Sequence, residues 1–271
     1  GDEGGGWGGG GTSSRQDWRP GLAAVATIGN TPSEQLKHAR RALASLSRLM
    51  NSPSAFMVYR HGALAAALSL MAAAPDDRAV QVAGCRVVAS LVTSPNLVAH
   101  ARRAPSFASG RALAAAAAAL RNHYADATAA RAASRAMWTA VHLGGRGGQD
   151  FLVTNQLYTV VMDAMAVHPA DASVLEASCG CLLASALDNE EAKAALDEAG
   201  VRAAVSAVMR ERGGSGQHMR FGGAFATLKD WLQGPEGKGA TEQRTREQGA
   251  SLIETRAEQE FNGPSNGREG N

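Results

Sequence analysis

Aromatic residues make up only 5% of this 271-residue chain. Strand formers are scarce, and no segment alternates apolar and polar residues with period two, which excludes a β-sheet architecture. Lysine is nearly missing as well: it occurs only at 37, 193, 229 and 238, so the cations are almost all arginine. Charge of one sign is not in excess. Twenty-seven Lys and Arg against 25 Asp and Glu leave a net +2, which gives no global drive towards nucleic acid or a membrane surface. Three cysteines, Cys85, Cys179 and Cys181, are too few for a disulfide framework; their helical spacing reads them as small core residues of a reducing, intracellular compartment. No run approaches the roughly 18 apolar residues that a membrane-spanning helix needs, and no Asn-x-Ser/Thr acceptor has a permitted middle residue. The first residue is Gly1, read as the start of a fragment or of a processed chain. If a presequence was removed, the expected location shifts from the cytoplasm to an organelle interior such as the mitochondrion or plastid.

What the chain has in quantity is alanine, in runs such as the six between Leu113 and Leu120. Alanine is the best helix former and lets helices approach closely. With 45% hydrophobic content, the chain is long enough to bury a substantial core. These features point to an all-α fold of thin, closely stacked helices.

A long-range echo sharpens that reading. Met71-Ala-Ala-Ala-Pro75-Asp-Asp77-Arg-Ala-Val80-Gln-Val-Ala83-Gly-Cys85 returns as Met165-Ala-Val-His-Pro169-Ala-Asp171-Ala-Ser-Val174-Leu-Glu-Ala177-Ser-Cys179. A fixed period of roughly 40–50 residues in helical sequence is the mark of an α-solenoid. Five units are expected between residues 20 and 232: about 20–61, 62–105, a third from Leu113, 156–199, and a degenerate fifth from Gly200 to Trp231-Leu232. Leu49 to Arg60 matches Leu91 to Arg102, Leu22 falls on Leu64, and Asp77, Asp126 and Asp171 fall in register.

Within a unit, Pro75-Asp76-Asp77 reads as a helix stop and restart, because Pro cannot continue a helix and Asp caps the next. Ser94-Pro95 repeats the device, with Pro at the first helical position. Gly144-Gly145-Arg146-Gly147-Gly148 is expected to be a flexible break without helix. Residues 1–19 form a Gly-rich tail and residues 233–271 a charged one with a short helical stretch; neither carries enough apolar residues for a core. Trp7 and Trp18 in the first tail are candidate anchors for a partner's groove, set against incidental composition.

The unit resembles the armadillo repeat. Gly62-Ala-Leu64 opens an apolar helix, the Pro/Asp break follows, and Val80-Gln-Val-Ala-Gly-Cys85 begins the inner helix; Asn189 to Gly200-Val201 is similar to the family's short connecting helix. HEAT-type units are the near neighbour. The resemblance covers about residues 20–232 and implies a right-handed α-solenoid of about five units. It also implies an extended peptide or partner domain held along the surface lined by each third helix. Importin-alpha-like members place a Trp and an Asn four residues apart there. This chain has Arg86 and Ser90, Arg135 and Thr139, then Gly180 and Ala184, so the ladder for basic nuclear-import signals is absent. Trp138 aligns with Ala89 and Leu183, both core-facing, and reads as structural filler.

Chemistry-bearing patterns are sparse. Gly6-Trp7-Gly8 to Gly11 formally matches a dinucleotide fingerprint, but no strand precedes it. Cys179 and Cys181, two apart on a helix, point to nearly opposite sides and cannot chelate one metal. Seven scattered histidines form no catalytic arrangement, and the acid pairs at 76–77 and 190–191 sit at helix starts, where the helix dipole favours them. No cofactor or metal is expected. The functional expectation is a non-catalytic protein-interaction scaffold, with Arg86, Ser90, Arg135 and Thr139 as candidate contacts. The alternative is a structural accessory subunit of a large multiprotein assembly, an organellar membrane or ribosomal complex, held by its tails.

Overall fold

A computed structural model describes residues 32–93, 95–213 and 232. Among these the chain is helical and contains no strand. Leu22, Ser94, Trp7, Trp18 and both tails, each singled out by the sequence, lie outside the described residues.

The helices are α1 Pro32–Met50, α2 Ala55–Arg60, α3 Ala63–Ala73, α4 Arg78–Ala89 with a 3-10 turn Ser90–Val92, α5 Pro95–Ala101, and α6 Pro105–Ala108. They continue as α7 Arg111–His123, α8 Ala127–Thr154, α9 Tyr158–Val167, α10 Ala172–Ala186, α11 Glu190–Glu198 and α12 Val201–Gly213. Each expected Asp restart is observed. Asp77 Oδ1 accepts from Val80 N at 2.8 Å, Asp126 Oδ1 from Ala129 N at 2.8 Å, and Asp171 Oδ1 from Ser173 N and Val174 N at 2.9 and 3.0 Å. One carboxylate per unit thus satisfies helix-start N–H groups that have no partner within the helix.

These caps set a regular order of packing. The second helices form one row, with α4 against α1 and α8, and α8 against α10. The preceding helices form a second row, with α3 against α7 and α7 against α9, each also packed on its own second helix. The core fills the space between the rows with small side chains: Ala112, Ala116, Ala130, Ala133 and Ala136 are buried alongside Leu113, Leu120 and Met137. Polar ties link consecutive units. His123 Nε2 lies 3.1 Å from the Pro75 carbonyl, and His168 Nε2 lies 2.6 Å from that of Tyr124. A carbonyl only accepts, so both rings carry their proton on Nε2. Ser178 Oγ lies 3.1 Å from Ser134 Oγ, joining α10 to α8 at two fully buried positions. Gln81 Nε2 donates to the Met71 and Ala74 carbonyls, and Gln149 Nε2 to those of Ala184 and Leu187. Each glutamine thus ties down carbonyls at a helix end.

One expectation needs revision. The Gly144–Gly148 stretch is not a loose break. Two helical segments of α8 meet in it, and the break between them is confined to Gly145, at φ 55° and ψ −140°. Glycine meets that left-handed turn at no steric cost, so the cluster makes one sharp kink. Gly148 then sits against the Val141 and Ala140 carbonyls, where a Cβ would lie 3.2–3.3 Å away. The cysteines are core residues, as their positions led one to expect. Helix α10 packs against α8, α9, α11 and α12, so both of its sides are covered and every residue from Ala177 to Ala186 is buried. Cys179 and Cys181 point to different sides, yet each is fully buried. Burial pushes these thiols, and that of Cys85, up to about 12.

Candidate functional site

Charge is distributed unevenly along the row of second helices. At their N-terminal ends the caps are doubly used: Arg40 pairs with Asp77, and Arg78 Nη2 lies 2.8 Å from Asp126 Oδ2. The hydrogen bond from the neighbouring guanidinium is the largest influence on each carboxyl; burial pushes the other way, and with help from the backbone N–H bonds the carboxyl is held below the usual carboxylate range. Further along the same helices the arginines are different. Arg86 on α4, and Arg131 and Arg135 on α8, are exposed and have no ion pair among the described residues.

Arg135 opens a stripe on α8. Arg135, Trp138, Thr139 and His142 follow one another at i, i+3, i+4 and i+7, which places them on one face of the helix. Together with Val92, from the turn that ends α4, they line a pocket of about 230 Å³. Its apolar wall is Val92, 39% exposed, and the half-buried indole of Trp138. The Trp138 ring lies over Gly180 of α10; a Cβ at 180 would stand 2.7 Å from its Cε3. Glycine at this place in α10 therefore makes room for a tryptophan delivered by α8.

The polar groups of the pocket are of one kind. Arg135 is a pure donor. Thr139 is buried as a residue, at 4% exposure; it lines this pocket, and its hydroxyl makes no hydrogen bond among the described residues. The Trp138 indole N–H has no partner among them either. His142 Nε2 lies 3.3 Å from Arg102 Nη2. A guanidinium only donates, so Nε2 accepts and the neutral ring keeps its proton on Nδ1. Burial, then the Arg102 charge, holds His142 below the ordinary histidine range, so it is neutral at pH 7. The lining contains no carboxylate.

The sequence-derived candidates thus separate. Arg135 and Thr139 come together in the pocket. Arg86 is exposed at the corresponding place on the preceding helix. Ser90 is buried and donates its hydroxyl to the Val87 carbonyl at 2.8 Å, which leaves it no free donor for a ligand. Gly180 lies under Trp138 and Ala184 is buried with its carbonyl bonded to Gln149, so the third unit of the expected ladder is closed. Val92 and His142 were not singled out, and Arg102 stood out only as half of the basic pair Arg102-Arg103. The i+7 spacing from Arg135 was a signal for His142, whereas Val92 and Arg102 reach the stripe only through the packing of α4 and α5.

A second hollow, about 570 Å³, lies between α7 and α9 and is bordered by Arg121, Tyr124, Thr159, Val160, Asp163, Ala166 and Val167. It combines both charge signs with two exposed apolar side chains. Among the described residues no three His, Cys, Asp or Glu side chains converge as a metal site would require. No family model, no curated protein and no solved structure matches the chain.

Proposed function

We propose that the chain is an armadillo-like α-solenoid acting as a non-catalytic protein-interaction scaffold, which holds a partner segment along the row formed by α4, α8 and α10. The observation that carries this reading is the separation of charge on that row. Arginines at the N-terminal ends are committed to the helix caps, while Arg86 and Arg135 are exposed and have no ion pair among the described residues, and Arg135 lines a pocket between consecutive second helices. Neither side chain packs in the core, and only Arg86, in the last turn of α4, has a charge that its own helix end favours. Exposed arginine is also enriched where proteins meet partners. The experiment is purification at native concentration with mass spectrometry of co-eluting chains, for the wild type and for Arg86→Glu with Arg135→Glu. The double variant is expected to keep the wild-type helical circular dichroism and lose its co-eluting partners. Retention of every partner by a folded double variant would overturn the reading.

A further inference from the structure

We infer that the pocket bounded by Val92, Arg135, Trp138, Thr139 and His142 receives a side-chain carboxylate of an extended acidic segment in a protein partner. This rests on the scaffold reading and assigns its chemistry. Three observations converge. The pocket presents Arg135, the Thr139 hydroxyl and the Trp138 indole N–H, all able to donate, and its lining has no carboxylate to compete. Thr139 is 96% buried by its 4% exposure, and its hydroxyl is left without a hydrogen bond among the described residues. A hydroxyl on a pocket wall with no protein partner is free to donate to an acceptor from outside the chain. Arg102 beside His142 adds positive charge next to the pocket.

The occupant is extended because of the spacing of the row. Helix α4 packs directly on α8, and packed helices lie about 8–10 Å apart. Arg86 and Arg135 hold corresponding places on these two helices. An extended chain of the polyproline II type advances about 3.1 Å per residue with three residues per turn, so acids three residues apart lie on one side, about 9 Å apart, and meet both guanidiniums. Val92 and the Trp138 ring accommodate an apolar side chain between them. A helical segment would instead need acids at its own i, i+3/i+4 spacing and a wide apolar groove, and the pocket is small and donor-rich.

The test reads the indole N–H resonances of the full chain labelled with 15N-tryptophan. The Trp138 peak is assigned by its loss in Trp138→Phe. Two capped tetrapeptides are titrated, Ac-Glu-Ser-Leu-Glu-amide and its Ac-Gln-Ser-Leu-Gln-amide counterpart, and inorganic phosphate separately. The Glu peptide is expected to move the Trp138 peak saturably, with the Gln peptide about tenfold weaker because it forfeits the charge-assisted bonds. Arg135→Gln and Thr139→Val are each expected to bring the Glu peptide towards the Gln level. Equal effects of the two peptides, an unmoved Trp138 peak at about 10 mM peptide, or tighter binding of phosphate than of the Glu peptide would each overturn the proposal. Loss of co-eluting partners in the double variant, with an unmoved Trp138 peak, would leave the scaffold reading standing and remove the carboxylate pocket alone.

Discussion

Replacing Gly180 by alanine tests the packing on which the pocket depends. In an exposed helix this change is favourable by about 1 kcal/mol, because glycine has more backbone freedom to lose on folding. Here the new Cβ would stand 2.7 Å from Cε3, 2.8 Å from Cδ2 and 2.9 Å from Cε2 of Trp138. Real Cβ contacts are not that short, and the atoms belong to a rigid ring, so the indole must move as a unit. Overpacking of this kind costs about 1–3 kcal/mol. The two effects oppose each other, and the overpacking term is the larger. Gly180→Ala is therefore expected to destabilise the chain by roughly 0–2 kcal/mol.

A double-mutant cycle isolates the cause. With Trp138→Ala as background the clash is gone, and Gly180→Ala is expected to stabilise by about 1 kcal/mol. The difference between backgrounds, about 1–3 kcal/mol, is the coupling between residues 138 and 180. Urea unfolding followed by helical circular dichroism measures all four corners, with unchanged m-values as the check that the midpoint reports stability. If Gly180→Ala gave the same stability change with and without the indole, the ring would not rest on α10, and the wall of the pocket would be misassigned. The wild-type background adds a second readout: an indole forced off Gly180 moves towards the pocket and weakens binding of the Glu peptide.

The caps and the thiols make two further predictions. Asp126→Ala should cost about 1 kcal/mol and Asp126→Asn appreciably less, because Asn also caps well. Both Asp77 and Asp126 titrate below their unfolded value, so their contribution is present above about pH 3.9 and is lost as the pH falls through the lower folded values. The urea midpoint should therefore fall in acid more steeply in the wild type than in an Asp77→Asn, Asp126→Asn chain, and parallel acid limbs would refute the assignment. Cys85, Cys179 and Cys181, with thiols pushed up to about 12, should resist Ellman's reagent at pH 8 in the folded chain and all react once it is unfolded. A cysteine reacting at the rate of a free thiol before unfolding would show that its helix is not enclosed.

Most of the helical order was legible in the sequence because its signals are local. Pro75, Asp77, Asp126 and Asp171 act on the backbone within a turn of themselves, so their spacing alone located three helix starts. The glycine cluster at 144–148 misled for the opposite reason. Local propensity favours a break, but the Gly148 backbone packs against the Ala140 and Val141 carbonyls, and α6, α10 and α11 pack along α8, so tertiary contact overrode propensity everywhere except Gly145.

The candidate site was half legible for the same reason. Arg135 and Thr139 were visible as a four-residue pair at a corresponding place in successive units. Ser90 matched that spacing equally well, yet its hydroxyl bonds to Val87 while that of Thr139 stays unbonded. Nothing in the periodicity distinguishes these two outcomes. What differs is the helix beneath: α4 tightens into a 3-10 turn at Ser90, whereas α8 continues as regular helix past Thr139 and carries Trp138 out over Gly180. The echo between units therefore locates positions that face the same way, and the residues that break it decide which of those positions has a free polar group. Gly180 shows this most directly. By period it belongs to the ladder, but its missing side chain serves the preceding unit's pocket rather than a site of its own.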